Sequence, residues 1–396
     1  MAFSKQEKTI LYLLASVSFT NILDFMVMMP LGHEFQTVFS LSPPQWSTVV
    51  SAYTFAAGIS GVTSIFFIDK IERKRFLLTL YIGFIIGTIF CGLAQGYYTL
   101  VAARAFTGIF GGVINALLFA LVGDLIKPQD RGKGIGILMM GFSPASALGV
   151  PFGLYFGVTF SWRVPFFAIA AMGLVLLVLL FRYIPVVDTH VKLNKGQSPL
   201  PQLLQVFKNP NQLKALAGAF AMFCGHFIIV PFLAPYMVSN VGFEEVQLTW
   251  IYFAGGVITI FTSPFIGKLS DQIGKFPVMA ILAFLATIPM VIITNLESAP
   301  VWFVLIFTTV FFITGGRSIP GNAIILSTAL PAQRGSFMSI RAAVQQFASA
   351  TAAFSAGFIL TQTPDGKYDH YEIAGYVGVL LTIISVIILK KVKEQY

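Results

Sequence analysis

The chain has 396 residues, 56% of them hydrophobic and only 10% charged, with a mean hydropathy of +0.82. A soluble domain carries about 25% charged residues, so this composition excludes a water-soluble globular protein and implies a polytopic membrane protein in contact with a lipid bilayer. The net charge of +9 comes from basic loops that flank apolar runs, and no separate basic domain exists to hold nucleic acid.

A bilayer core is crossed by about 20 apolar residues. Twelve runs meet that length: 9–32, 46–68, 76–94, 98–123, 134–158, 163–184, 211–237, 246–266, 277–295, 300–325, 336–361 and 371–390. The first is not followed by a small-residue cleavage site and is expected to be span 1, not a removed signal. It contains Asp24, within "SFTNILDFMVMMPLG". An ionised carboxylate in hydrocarbon costs about 2.5–3.5 kcal/mol on insertion scales, which makes such an acid a functional candidate by default. Desolvation disfavours the ionised form and so suits reversible protonation. Asp24 is therefore expected to bind the proton; the alternative is a carboxylate satisfied by a neighbour and serving packing alone. Asn21 lies one helical turn earlier on the same face, and Met28 adds an adaptable thioether.

Tyr53 of span 2 is a candidate for a cavity wall. Asp69 ends span 2 and Arg73 lies in the basic loop beyond it. Span 4 carries Arg104, whose guanidinium stays charged and so needs an acid, acceptors or water, unless it snorkels to the outer interface. Asn115 follows on the same span; Asn21, Met28, Arg104 and Asn115 are, with Tyr53, candidates for a substrate cavity, and Arg131 lies in the next loop, where a gate or latch would form. Span 5 places Gly141, Ala145, Gly149, Gly153 and Gly157 at every fourth position, which lets helices approach closely. Pro144 and Pro151 remove backbone donors and are expected to bend it.

The longest polar stretch, 185–210, is expected to be a linker between two bundles, 1–184 and 211–396, with a short surface helix around Leu200–Phe207. In the second half, His226 is the only histidine within a span. It titrates near neutrality and is either a rival proton site or a neutral core residue. Tyr236 and Tyr252 are further cavity candidates. Asp271 and Lys275 close span 8. Arg317 in span 10 is a second substrate or gating cation. Arg334 precedes span 11 and Arg341 opens it, where a gate would lie.

Of 25 Lys and Arg, 20 fall in one alternating set of loops, two in the other and three within spans. This asymmetry implies an even number of spans with both termini in the cytoplasm. The halves also repeat. Gln45 and Asp69 map onto Gln247 and Asp271 at an offset of 202, "TGIFGGVINAL" onto "TGGRSIPGNAI" at 207, and Arg131 onto Arg334 at 203. Parallel repeats of this kind are a recurrent transporter plan.

With these motifs the chain resembles the major facilitator superfamily over its whole length. "GKLSDQIGK" keeps Gly267, Asp271, Gly274 and Lys275 of the loop motif of that family, while "IFFIDKIERKR" keeps Asp69, Arg73 and Lys74 but lacks the glycines. "RAFTGIFGG" is similar to the span-four motif of proton-coupled members, and "GFSPASALGVPFG" to the span-five motif of exporters. Asn21, Asp24 and Phe25 are similar to span 1 of the drug:proton antiporter and arabinose or sugar efflux branch. The resemblance implies an all-α integral membrane fold of twelve transmembrane helices in two six-helix pseudo-symmetric bundles. It also implies that the basic loops latch one conformation through Asp69 and Asp271, and that Gly149, Pro151 and Gly153 make a tight contact between the halves.

The expected function is export of a small amphipathic compound, a drug-like molecule or a sugar, across a bacterial inner membrane. The proton would be the coupling ion, with no other cofactor, and the chain is expected to act as a monomer. An uncoupled uniporter or an importer is the alternative. An enzyme is disfavoured: "GFSPA" lacks the final glycine of a nucleophile elbow, Cys91 and Cys224 lie in apolar runs with no metal-ligand spacing, and there is no phosphate loop.

Overall fold

The computed structural model describes residues 3–68, 70–141, 144–188, 205–329 and 334–393. All twelve predicted spans are helical there. Spans 2, 3, 4 and 6 are the helices Pro43–Ser64, Arg73–Gly92, Tyr97–Leu125 and Arg163–Tyr183. Spans 8, 9, 11 and 12 are Glu245–Ile273, Lys275–Thr294, Arg334–Ile359 and Tyr371–Lys390. The other four are interrupted. Span 1 runs Lys5–Val27 and resumes at Gly32–Phe39, span 7 runs Pro210–Phe227 and Val230–Ser239, and span 10 runs Val301–Gly315 and Ser318–Leu326. Pro30, Pro231 and Pro320 lie at or just beyond these breaks, where the missing N–H interrupts the helical ladder. Span 5 bends as its two prolines require: Arg131–Met139 leads to a π-helical turn, Ala145–Gly149, and then to Val150–Thr159, as single π turns commonly do inside helices.

Spans 2 and 11 are not among the helices apolar enough to count as spans by composition alone. They are richer in small and polar residues, with Ser51, Thr54 and Ser60 in span 2 and Gln345, Gln346 and Ser349 in span 11. They run antiparallel against each other across the seam between the halves, with Phe55 and Phe347 rings 5.7 Å apart and Gly357 seated on Ser47. Spans toward the outside carry the lipid-facing apolar surface, such as Val175, Val178 and Phe181 of span 6. The predicted linker lies mostly outside the described residues, at 189–204, and so does Asp69.

The repeat is visible in backbone geometry. Ser40 and Gly242, both left-handed at φ 51° and 83°, end spans 1 and 7. Each is followed by a capping box that opens the next span, Ser42 with Gln45 and Glu244 with Gln247. All three correspondences have the offset of 202.

The halves close on each other at the face opposite the termini. Trp46 Nε1 donates to the Pro231 carbonyl at 2.9 Å, and the Tyr368 hydroxyl donates to Gln36 Oε1. Tyr368 belongs to a small hairpin, Thr361–Gln362 paired with Tyr368–Asp369, and Asn240 pins its backbone from both sides. His33 Nε2 lies 3.5 Å from Glu245 Oε1. Midway across the membrane, Gly256 of span 8 abuts the backbone of Ser146 and Ala147 in the π-helical turn of span 5.

One expectation is corrected here. The glycines of span 5 do not form the contact between halves. Gly149 faces Leu23 and Gly153 faces Val27, both on span 1 of the same half, while Pro151 is buried at the start of the second helical segment. The four-residue stripe docks span 5 on span 1, and the π turn rotates Ser146 and Ala147 toward the other half.

Candidate functional site

Asp24 is fully buried, and the packing of spans 1, 3 and 4 explains how it is tolerated. Arg104 Nη1 of span 4 donates to Asp24 Oδ2 at 2.9 Å, and Thr88 Oγ1 of span 3 donates to Oδ1 at 3.0 Å. Both residues of the ion pair are 1% exposed or less. The Arg104 guanidinium lies 4.5 Å from the centroid of the Tyr53 ring, a cation–π contact worth about 2 kcal/mol when desolvated. Arg104 Nε has no partner among the described residues.

A string of polar groups leads from this pair toward the face bearing the termini. Asn21 Nδ2 donates to the Tyr53 hydroxyl at 3.3 Å, Asn115 Nδ2 donates to Asn21 Oδ1 at 3.2 Å, and Ser18 Oγ donates to Asn115 Oδ1 at 3.4 Å. Asn21 and Tyr53 are buried; Asn115 is half-buried. Phe25, next to Asp24, joins the network to the seam. Its ring is 5.4 Å from Tyr53 and 6.2 Å from Phe227 of span 7.

Asn21, Tyr53, Arg104 and Asn115, expected around a substrate cavity, are thus engaged with one another inside the first half. Met28 is buried at the span 1 break. Tyr236 turns away from the seam: its hydroxyl donates to the Leu296 carbonyl and its ring packs on Tyr371 of span 12. That contradicts a place in the cavity wall. Tyr252 packs on Phe312 within the second half.

His226 is not brought to Asp24. Its ring stacks on Phe311 at 4.7 Å, and its Nδ1 has no partner among the described residues. The repeat clarifies this arrangement. The offset of 202 carries Asp24 onto His226, and the offset of 207 carries Arg104 onto Phe311. The ion pair of the first half is replaced in the second by two stacked rings. Arg317 lies farther along span 10, at its break, and is 2% exposed.

At the termini face, Asp69 lies outside the described residues, as does the side chain of Arg334. Arg73 Nε instead contacts Asp124 Oδ2 at 2.9 Å, tying span 3 to the end of span 4, and its Nη1 donates to the Ile68 carbonyl. Arg131 Nε donates to the Ile126 carbonyl and Arg341 Nη2 to Gln345 Oε1. Asp271 is exposed at the end of span 8, and Lys275 opens span 9. Glu72, which stands where the loop motif of the family has a glycine, accepts backbone N–H bonds from Lys74, Arg75 and Val187. Partial burial works to raise its carboxyl, but these donors outweigh it and hold Glu72 below the usual carboxylate range. Thr88 carried no signal in the sequence, since its acid lies 64 residues away.

Comparison with known proteins agrees with this architecture. The Major Facilitator Superfamily profile matches residues 14–353 and 215–394. An MFS-type transporter of Bacillus subtilis (strain 168), YceJ, is 24% identical over 381 residues, covering 94% of each chain. A "Probable sugar efflux transporter" of Pasteurella multocida (strain Pm70) is 25% identical over 225 residues, 57% of this chain and 54% of that one. Among solved structures, a D-xylose-proton symporter superposes with a TM-score of 0.74 at 16% identity, covering 98% of both chains. The chain belongs to the Major Facilitator Superfamily, whose members are multi-pass membrane transporters and not enzymes.

Proposed function

We propose that the protein is a proton-coupled exporter of a small amphipathic compound, working by alternating access at the seam between its halves. The buried Asp24–Arg104 pair carries this reading. Asp24 is the proton-binding group and Arg104 its counter-charge. An ionised Asp24 holds Arg104 in the first half. Protonation removes the attraction and leaves a guanidinium that must find a new acceptor, which favours a rearrangement of spans 1 and 4. The string through Tyr53, Asn21, Asn115 and Ser18 supports a route for the proton toward the face bearing the termini. That face is the cytoplasmic one on the distribution of Lys and Arg, in a bacterial inner membrane.

The export direction is supported by the span-five motif and by the sugar-efflux name of one relative. A proton symporter shares the fold, and symport into the cell is the second reading. The deciding experiment uses proteoliposomes with a pH-sensitive dye inside and a compound panel outside. Substrate flux accompanied by counter-directed proton flux is expected, and Asp24→Asn abolishes uphill transport while leaving exchange down a gradient. Uphill transport by Asp24→Asn at the parent rate refutes the coupling role. Co-directed proton flux identifies the symporter.

A further inference from the structure

Arg317 is a charge that the first half does not repeat: the offset of 207 carries Phe110 onto it. Span 4 runs unbroken from Tyr97 to Leu125, whereas span 10 stops at Gly315 and restarts at Ser318, with Arg317 at the junction. The side chain is 2% exposed. Its Nη1 donates to the Thr314 carbonyl at 3.1 Å, while Nε and Nη2 have no partner among the described residues. It has no ion pair among the described residues, and all seven acids between 211 and 390 lie at span ends or in loops. Asp24, the buried acid of the first half, is engaged by Arg104. A guanidinium does not shed its charge, and a buried ion without a counter-charge is strongly unfavourable inside a membrane bundle.

The neighbourhood adds a second observation. His226 packs against span 10 beside this break: its ring carbon Cε1 lies 3.4 Å from where a Cβ on Gly315 would stand. His226 is half-buried, and its Nδ1 is unpartnered among the described residues. Phe227, the next residue, meets Phe25 at the seam between the halves. A buried cation with two donor nitrogens unpartnered among the described residues therefore stands two residues from the glycine that the His226 ring touches, and the residue after His226 reaches the seam.

We infer that Arg317 anchors an oxyanion, a carboxylate or phosphate group, carried by the transported compound, with His226 at the entrance to this subsite. The planar guanidinium fork matches two oxygen acceptors, and charge-assisted pairs of this kind are the strong ones. The inference rests on the reading that cargo occupies the seam, and it adds the chemical class of the cargo.

Binding is read without transport, so its failure is distinguishable from a failure of proton coupling. Purified protein is titrated with sodium benzoate, phenyl phosphate, benzyl alcohol, benzylamine and inorganic phosphate at matched ionic strength, with thermal unfolding as the readout. The two aromatic anions are expected to raise the unfolding temperature of the parent, and the alcohol and amine are not. Arg317→Gln is expected to weaken the anion effect about 10- to 100-fold, and Arg317→Lys, which keeps the charge, to weaken it less. The parent comparison needs no variant, so it holds even if Arg317→Gln does not fold. Equal effects of benzoate and benzyl alcohol on the parent overturn the inference. So does an anion effect that Arg317→Gln retains. Stabilisation by inorganic phosphate alone assigns the site to a free ion and overturns its place in cargo binding.

Discussion

Asp24→Asn tests the energetic core of the site. The substitution keeps the shape of the side chain and an acceptor for Thr88, so what is lost is charge. Arg104 is then left 1% exposed with the Tyr53 ring still against it. That contact is present in the parent too and compensates nothing. Removing one partner of a buried pair costs about 3–5 kcal/mol, because the other charge stays buried. Arg104→Gln should cost less, since a carboxyl left alone takes up a proton and a guanidinium left alone does not release one. The Asp24→Asn/Arg104→Gln double variant buries neither charge and is expected to recover much of the loss, with a coupling of about 2–3 kcal/mol in the cycle. Reversible unfolding in mixed micelles measures all four proteins. Single variants within about 0.5 kcal/mol of the parent, or a double variant equal to the sum of the singles, would falsify the claim that this pair holds spans 1 and 4 together.

Two further perturbations follow from named contacts. A side chain at Gly256 has no room, because a Cβ would meet backbone atoms of Ser146 and Ala147 at under 3 Å. Gly256→Val should part spans 5 and 8, seen as faster maleimide labelling of a cysteine placed at the buried Ala147; unchanged labelling speaks against a closed seam there. Glu72→Gln removes a helix-capping carboxylate worth about 1 kcal/mol. Its folded value lies below its unfolded one, so its stabilisation is complete above the unfolded carboxylate range and is lost as pH falls through the folded value. The parent should unfold at a higher temperature than Glu72→Gln at pH 7, and the two should converge at lower pH than an ordinary carboxylate titrates. A gap that persists unchanged at pH 3 argues for another cause.

The twelve spans were legible in the sequence because a bilayer imposes a single length scale on apolar runs, and basic loops alternate along it. The twofold repeat was legible for a related reason: equivalent turns need equivalent residues, so Ser42 with Gln45 and Glu244 with Gln247 recur at one offset. Asp24 stood out because an acid in such a run is costly. Partners were not legible. Arg104 lies 80 residues from Asp24 and Thr88 lies 64 away, and local periodicity carries no information about which span a side chain will meet. The same limit misplaced the glycine stripe of span 5, whose spacing announces a close neighbour without naming it. Tyr236 fared likewise: an aromatic in a span is as well suited to a core as to a cavity, and only the Leu296 carbonyl and the Tyr371 ring decided its side. The sequence by itself thus determined the class, the span count and the presence of a buried acid, all properties of one segment against a uniform solvent. Tertiary structure alone decided that the acid is matched by Arg104 while Arg317 has no counter-charge among the described residues, because charge compensation in a bundle depends on which helices touch.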